Sequence, residues 1–291
     1  MISLFASCAT RDNNEITMKD IRIFQNTSAW DLAQAVETER ISEIEIVANK
    51  NPELLNYRDP IFGTTLLMWS VSMEKYRAAL ALLEAGADPN IRSNSGATAL
   101  FKAISYSWID TKAKQESRYV ELLLKYGADP DLVYIGKKKE GVTDPIEKGT
   151  SPLMHAVSRS FAKTRALVEA GANINYKTQT NQSAATTALI MEKLDVAYYL
   201  IVEKKASVSE PFYFYEIGSD SINYKKKYYA TDLLRNWIYE LDSYEYRKKM
   251  AIVEELKRQG LDYRSTNIPE STLERIKILH PKNWEEYLER Y

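Results

Sequence analysis

The chain has 291 residues and 45% apolar content, enough for one large domain or two ordinary ones. Its 39 Lys and Arg against 40 Asp and Glu leave a net charge of −1, which removes any whole-molecule attraction to nucleic acid or to an anionic membrane. One cysteine excludes an internal disulfide, that cysteine with two histidines excludes a typical structural zinc site, and no run approaches the roughly 18 apolar residues of a membrane-spanning helix.

In chain order, the first feature is "LFASCAT", where the small residues Ala6 and Ser7 precede Cys8. The segment resembles the processing site of a bacterial lipoprotein. It departs from that pattern in having Phe5 where Leu is usual and no Lys or Arg before it. The resemblance implies lipidation at Cys8 and a bacterial periplasmic or outer-membrane location, with the membrane reached only through that anchor. The alternative is a cytoplasmic N-terminus with an incidental cysteine. Residues 1–25 are expected to be a signal remnant or flexible tether.

From residue 26 a period appears. "GTTLLMWS" begins at Gly63 and "GATALFKA" at Gly96, 33 positions on, and "GTSPLMHA" at Gly149 keeps the same opening. Each is followed by an amphipathic pattern ending in a glycine turn: "EAGADPN" (84–90), "KYGADPD" (125–131) and "EAGANIN" (169–175). These units resemble ankyrin repeats, whose signature opens the first helix with Thr-Pro-Leu-His-x-Ala, and "SPLMHA" at Ser151 is the best copy. Thr65, Thr98 and Ser151 match the capping hydroxyl, and Leu67, Leu100 and Leu153 the core leucine. Weaker copies begin at Ala29, Ser183 and Thr231; in the fifth unit Lys204 and Lys205 replace the Ala-Gly pair. The resemblance implies an all-α solenoid of about six helix-turn-helix units over 26–264, with long loop insertions and a helical cap at 265–291.

Catalytic and metal motifs are weak. "GKKKEG" (136–141) lacks the Gly-Lys-Ser/Thr of a phosphate loop, "IGSDS" lacks the second glycine of a nucleophile elbow, and there is no His-Glu-x-x-His. Asp88 and Asp129 recur in successive turns, which a single metal site does not require, so a backbone role is expected for both. No metal, cofactor or enzymatic activity is expected; an enzyme using carboxylates of an insertion is the remote alternative.

Binding is expected where the period fails. Insertions fall at Val133–Lys148 and Glu210–Tyr229, with a third after Ser105. The 210–229 segment carries Tyr213, Tyr215 and Tyr224, large rigid side chains that suit an interface, while Phe212 and Phe214 are expected to pack beneath them. By resemblance, the variable residue of each first helix (Gln34, Trp69, Lys102, His155, Thr187, Arg235) projects toward the concave face. Trp69, Lys102, His155 and Arg235 join the three tyrosines as the expected protein-binding set. The partner is expected to be another protein and not nucleic acid. With the lipoprotein resemblance, the family implication is an immunity protein occluding a secreted antibacterial toxin such as a type VI phospholipase effector. The alternative is a cytosolic or host-directed ankyrin scaffold.

Overall fold

Helix pairs follow one another along the described residues of this computed structural model, which are 16–105, 109, 116–136, 146–216 and 224–291. α1 (Trp30–Glu37) pairs with α2 (Ile41–Lys50), α3 (Leu66–Ser72) with α4 (Tyr76–Glu84), and α5 (Ala99–Ile104) with α6 (Arg118–Lys125). α7 (Pro152–Val157) pairs with α8 (Phe161–Glu169), α9 (Ala184–Ile190) with α10 (Leu194–Tyr198), and α11 (Ala230–Leu234) with α12 (Tyr244–Arg258). Each first helix packs on the next first helix and, from α2 to α12, each second helix on the next, so the pairs form two layers stacked along one direction. Leu32, Leu67, Leu100 and Leu153 are fully buried between the layers. Each such burial contributes about 1.5–3 kcal/mol. α13 (Glu270–Leu279) and α14 (Trp284–Arg290) follow, broken at Pro281, and pack through Ile276 and Tyr287 against Ile238 and Leu241.

Local chemistry sets the helix ends. The hydroxyls of Thr65, Ser151 and Ser183 accept from Met68 N, Met154 N and Thr186 N, whereas Thr98, expected from the sequence to cap α5, makes no side-chain cap bond although its backbone is extended as at the other caps. Gly86, Gly127, Gly171 and Gly260 end second helices at φ between 86° and 101°. At the fifth pair the same left-handed position is held by Lys205, at φ 58°. Cap to turn is eleven residues from Lys75 to Gly86 and from Ser160 to Gly171, but twelve from Lys193 to Lys205. A π-helical turn at Tyr199–Glu203 absorbs the additional residue, and Ala206 N then reaches back six residues to Leu200 O, where Ala87 N reaches back five to Leu82 O. The left-handed backbone costs a lysine about 1 kcal/mol; its ammonium bonds the Glu255 carboxylate at 2.8 Å.

The turns are tied to each other. Asn56 Oδ1 accepts from Asp88 N, Asp88 Oδ1 from Asn90 N, Asn90 Oδ1 from Asp129 N, and Asp129 Oδ1 from Asp131 N, each at 2.8 Å. Asp131 continues to Asn173, Asn173 to Asn175, and Asn175 to Ser207. Asp88 and Asp129 are therefore rungs of a hydrogen-bond ladder running through five consecutive turns.

The insertion at 210–229 departs from the all-α expectation. It forms an antiparallel hairpin, β1 (Phe212–Glu216) with β2 (Tyr224–Tyr228), in register Phe212 opposite Tyr228. In β1 Phe212 and Phe214 alternate with Tyr213 and Tyr215, which puts the two phenylalanines on one face, and aromatic residues favour strands.

Asn90 is the rung that bonds in three directions, since its Nδ2 also donates to Gly127 O at 2.9 Å. Asn90→Ala is expected to lower unfolding free energy by about 1–2 kcal/mol, from the lost bonds and the unpaired Gly127 carbonyl. Urea denaturation followed by circular dichroism checks this; a change within 0.3 kcal/mol of zero would deny the ladder an energetic role (roughly the measurement floor for neutral surface changes).

Candidate functional site

The loops preceding the first helices form a second stack. Asp59 is buried at the base of the 59–64 turn and accepts from Ile61 N, Phe62 N and Thr64 N. Asn94 N donates to Phe62 O, linking that turn to the 93–97 turn, and Arg92 Nη1 reaches Val133 O at 2.7 Å. Tyr134 is pinned through Gly149 N to Tyr134 O and Tyr134 N to Thr150 O, and its ring meets Phe101 edge-on at 5.6 Å. Gly136 sits so close to this stack that a Cβ there would overlap Ser95 O and the Tyr134 hydroxyl. Residues 137–145, which include all of "GKKKEG" after Gly136, lie outside the described residues.

The β1/β2 hairpin extends this stack. Its base is held by Tyr213 N donating to Thr180 O, Gln182 Nε2 to Tyr213 O, and the Lys177–Glu210 ion pair at 2.6 Å. The Glu210 carboxyl is held below its usual range, first by that lysine and then by Asn181. Phe212, Phe214 and Tyr228 cluster on one face with centroids 5.3–6.1 Å apart, and Phe212 is fully buried. On the other face Lys227 lies 4.9 Å over the Tyr229 ring, and the Tyr229 hydroxyl raises its ammonium above the ordinary range. Tyr213 adds to that field and is half-buried. Tyr215 pairs with Lys225 and Glu216 with Tyr224 in the register, while the side chains of Tyr215 and Tyr224 lie outside the described residues.

The variable positions of the first helices do not make one open face. Gln34 is exposed and Lys102 and Thr187 are half-buried, but Trp69, His155 and Arg235 are each at most 4% exposed. A separate segment covers each of the three. The segment leading into the 3₁₀ turn Ile21–Phe24, a turn that itself packs on α1, reaches α3, where the Trp69 indole donates to Lys19 O at 3.1 Å. His155 packs 5.8 Å from the Phe101 ring and its Nε2 pairs with Ser105 Oγ at 2.9 Å. Arg235 donates to the carbonyls of Tyr263, Arg264, Thr266 and Tyr291, and lies 3.9 Å over the Tyr263 ring. These three side chains are therefore packing elements here and not free contact residues.

The Ser105–His155 pair has the outline of a nucleophile and base, and its electrostatics argue against that use. Burial, then Arg159 and Lys163, push the imidazole down to about 3, so it binds a proton poorly at neutral pH. Lys163, only 2% exposed and lowered by burial to about 8, donates to Ala103 O and Ile104 O at 2.8 and 3.0 Å, the last carbonyls of α5. Among the described residues no group of three or more His, Cys, Asp or Glu is placed to hold a metal ion, and no helix is long and apolar enough to cross a membrane. Cys8 lies outside the described residues.

Comparison with known proteins agrees with the local geometry. The family model for the ankyrin repeat matches residues 62–94, which span the end of the 59–64 turn, α3, α4 and the Gly86 turn. A protein of Acanthamoeba polyphaga mimivirus named for its ankyrin repeats is 35% identical over 94 residues, 32% of this chain and 20% of that relative. The chain thus spans about a fifth of that protein's length. The chain carries an ankyrin repeat, a unit that generally serves as a non-catalytic module for binding other proteins.

Beneath Arg235, Lys249 is 1% exposed, donates to Trp237 O at 2.8 Å and sits 3.7 Å over the Tyr291 ring. Burial, reinforced by Arg235 and Arg264, lowers its pKa from 10.5 to about 6. Between those values the unfolded chain binds a proton the native chain lacks, so stability rises with pH and is lost as pH falls toward 6, by at most about 1.4 kcal/mol per unit. Lys249→Met keeps the volume and removes the titration. Its unfolding free energy is expected to be flatter than the parent's between pH 6.5 and 7.5; parallel profiles would show that Lys249 stays charged.

Proposed function

We propose that this protein is a non-catalytic ankyrin-repeat solenoid, with about six units over 26–264 and a closing helical segment at 265–291, that binds another protein through its stacked loops. The observation that carries this reading is the β1/β2 hairpin. It interrupts the period between the fifth and sixth helix pairs, is fastened at its base to the 178–182 turn, and stands on a packed Phe212–Phe214–Tyr228 cluster. A hairpin so supported has already lost much of its conformational freedom, which lowers the entropic cost of binding. Tyr213, Lys227 and Tyr229 then provide amphipathic rings and a cation on one face. Recovery of a bound protein by affinity capture, followed by calorimetry, tests the assignment. Replacing Tyr213, Tyr215 and Tyr224 together by alanine is expected to weaken the recovered complex at least tenfold with the melting temperature little changed; unaltered affinity would remove the hairpin from the interface.

The narrower reading is an immunity protein that occludes a secreted toxin, such as a lipase effector, from the bacterial periplasm or outer membrane. It rests on the lipoprotein-like segment at Cys8. Palmitate labelling in a bacterial host is expected for the parent and lost in Cys8→Ala; labelling that persists would dissociate the chain from that location.

A further inference from the structure

Each first helix begins at the loop stack and runs toward the connection to its partner, so the helix-to-helix connections occupy the opposite end of the layers from the hairpin. At that end the α7–α8, α9–α10 and α11–α12 connections do not close over one another. They leave a groove of about 450 Å³, lined by Val157, Phe161, Leu194 and Tyr244 among others, and a recess of about 310 Å³ continues it past Ile238 and Leu279. Tyr239 and Glu245 line both, so the two form one channel. Its rim exposes Phe161, Tyr244 and Leu279 at 37%, 54% and 56%. Among the exposed large hydrophobic residues, Met191 precedes the α9–α10 turn and Ile278 precedes Leu279.

The charges along this channel are uneven. At the groove end Asp195 is neutralised by Lys248 at 2.6 Å, and Arg159 and Lys193 line the wall with Glu192. The recess end has Glu240 and Glu245 and no lysine or arginine in its lining, and neither carboxylate makes a salt bridge among the described residues. Burial, with Glu192, Glu245 and Asp195 acting through space, raises the Tyr239 hydroxyl to about 12, which agrees with a negative field at the junction. A trough of mixed polar and apolar lining, with Phe161, Tyr244 and Leu279 exposed at its rim and two unpaired carboxylates at one end, complements a chain that presents aliphatic side chains beside a cation.

We propose that this channel docks an extended peptide segment of a partner protein, with an arginine or lysine between Glu240 and Glu245 and flanking aliphatic side chains against Phe161, Tyr244 and Leu279. The surface is separate from the hairpin, and it stands whether or not the hairpin engages a protein.

Fluorescence anisotropy with the full chain and a fluorescein-labelled heptapeptide, Gly-Leu-Arg-Leu-Arg-Leu-Gly, tests this. Saturable binding is expected, at least tenfold weaker for the same peptide with Glu in place of each Arg. Glu240→Gln with Glu245→Gln is expected to weaken the arginine peptide at least fivefold, while Glu45→Gln, an exposed acid on α2, and Tyr213→Ala leave it unchanged. A circular dichroism melt keeps loss of fold distinguishable from loss of binding. Equal affinity for the two peptides, an equal loss with Glu45→Gln, or argininamide competing as well as the intact peptide would each overturn the proposal.

Discussion

In successive turns one residue donates its backbone N–H to a side chain of its own loop and holds the next loop with its own side chain, and the spacing of the helix pairs depends on that link. Asn90 orders its turn through Asp88 and then holds Asp129 N, and Asp131 and Asn175 repeat the forward reach to Asn173 N and Ser207 N. A helix pair of seven and nine residues is too short to be stable alone, so its persistence depends on neighbours placed at a constant offset. The ladder supplies that offset on one edge while the buried leucines supply it in the interior. It also decides where the chain can depart from the period. The insertions at 133–148 and 210–229 leave just beyond Asp131 and Ser207, after the rung is made and before the next first helix begins.

Where the period breaks, long cations replace the regular turn. α1, α3 and α9 close with a left-handed glutamate, at Glu39, Glu74 and Glu192, which lets the chain reverse directly into the second helix. α5 runs into the insertion after Ser105 instead, so its last carbonyls have no such turn to meet them. Lys163 arrives from α8 and satisfies Ala103 O and Ile104 O. At the other end of the stack, Arg235 and Lys249 do comparable work for the irregular 263–266 segment and for Trp237 O, with the Tyr263 ring stacked on the Arg235 guanidinium and the Tyr291 ring against the Lys249 amine. The costs of burying these cations are visible in the lowered affinities of Lys163 and Lys249 for protons.

The repeat was legible because glycine and the capping hydroxyls act locally: Gly86, Gly127 and Gly171 read as turns, and Thr65 and Ser151 as caps, without knowledge of neighbours. In the fifth helix pair, one residue longer from cap to turn than the second and fourth, Lys205 takes the glycine position through a π-helical turn that composition does not announce. The binding face was less legible for a physical reason. Position within a helix gives the direction of Trp69, His155 or Arg235, but their burial is decided by segments far away in sequence, at Lys19, Ser105 and Tyr263–Tyr291. The same limit hid the ladder, since an Asp or Asn that looks like a local turn residue also bonds about 30 to 40 positions on. The channel beside Tyr239 has no sequence signal at all, because it is the space left between three connections.

The two ends of the helices consequently differ in chemistry although the chain as a whole is nearly neutral. The hairpin end presents Lys226 and Lys227 with tyrosine rings beneath them, and the turn end presents Glu240 and Glu245 beside apolar rims. Such local groupings of charge cannot be read from a net charge of −1, and at physiological salt they are screened beyond about 8 Å, so neither edge steers a partner meant for the other. Selectivity must then come from contacts at each edge. A partner that engages the hairpin face is selected by aromatic and cationic groups on a rigid support, whereas one that enters the channel is selected by matching a cation to carboxylates that the protein itself leaves unpaired.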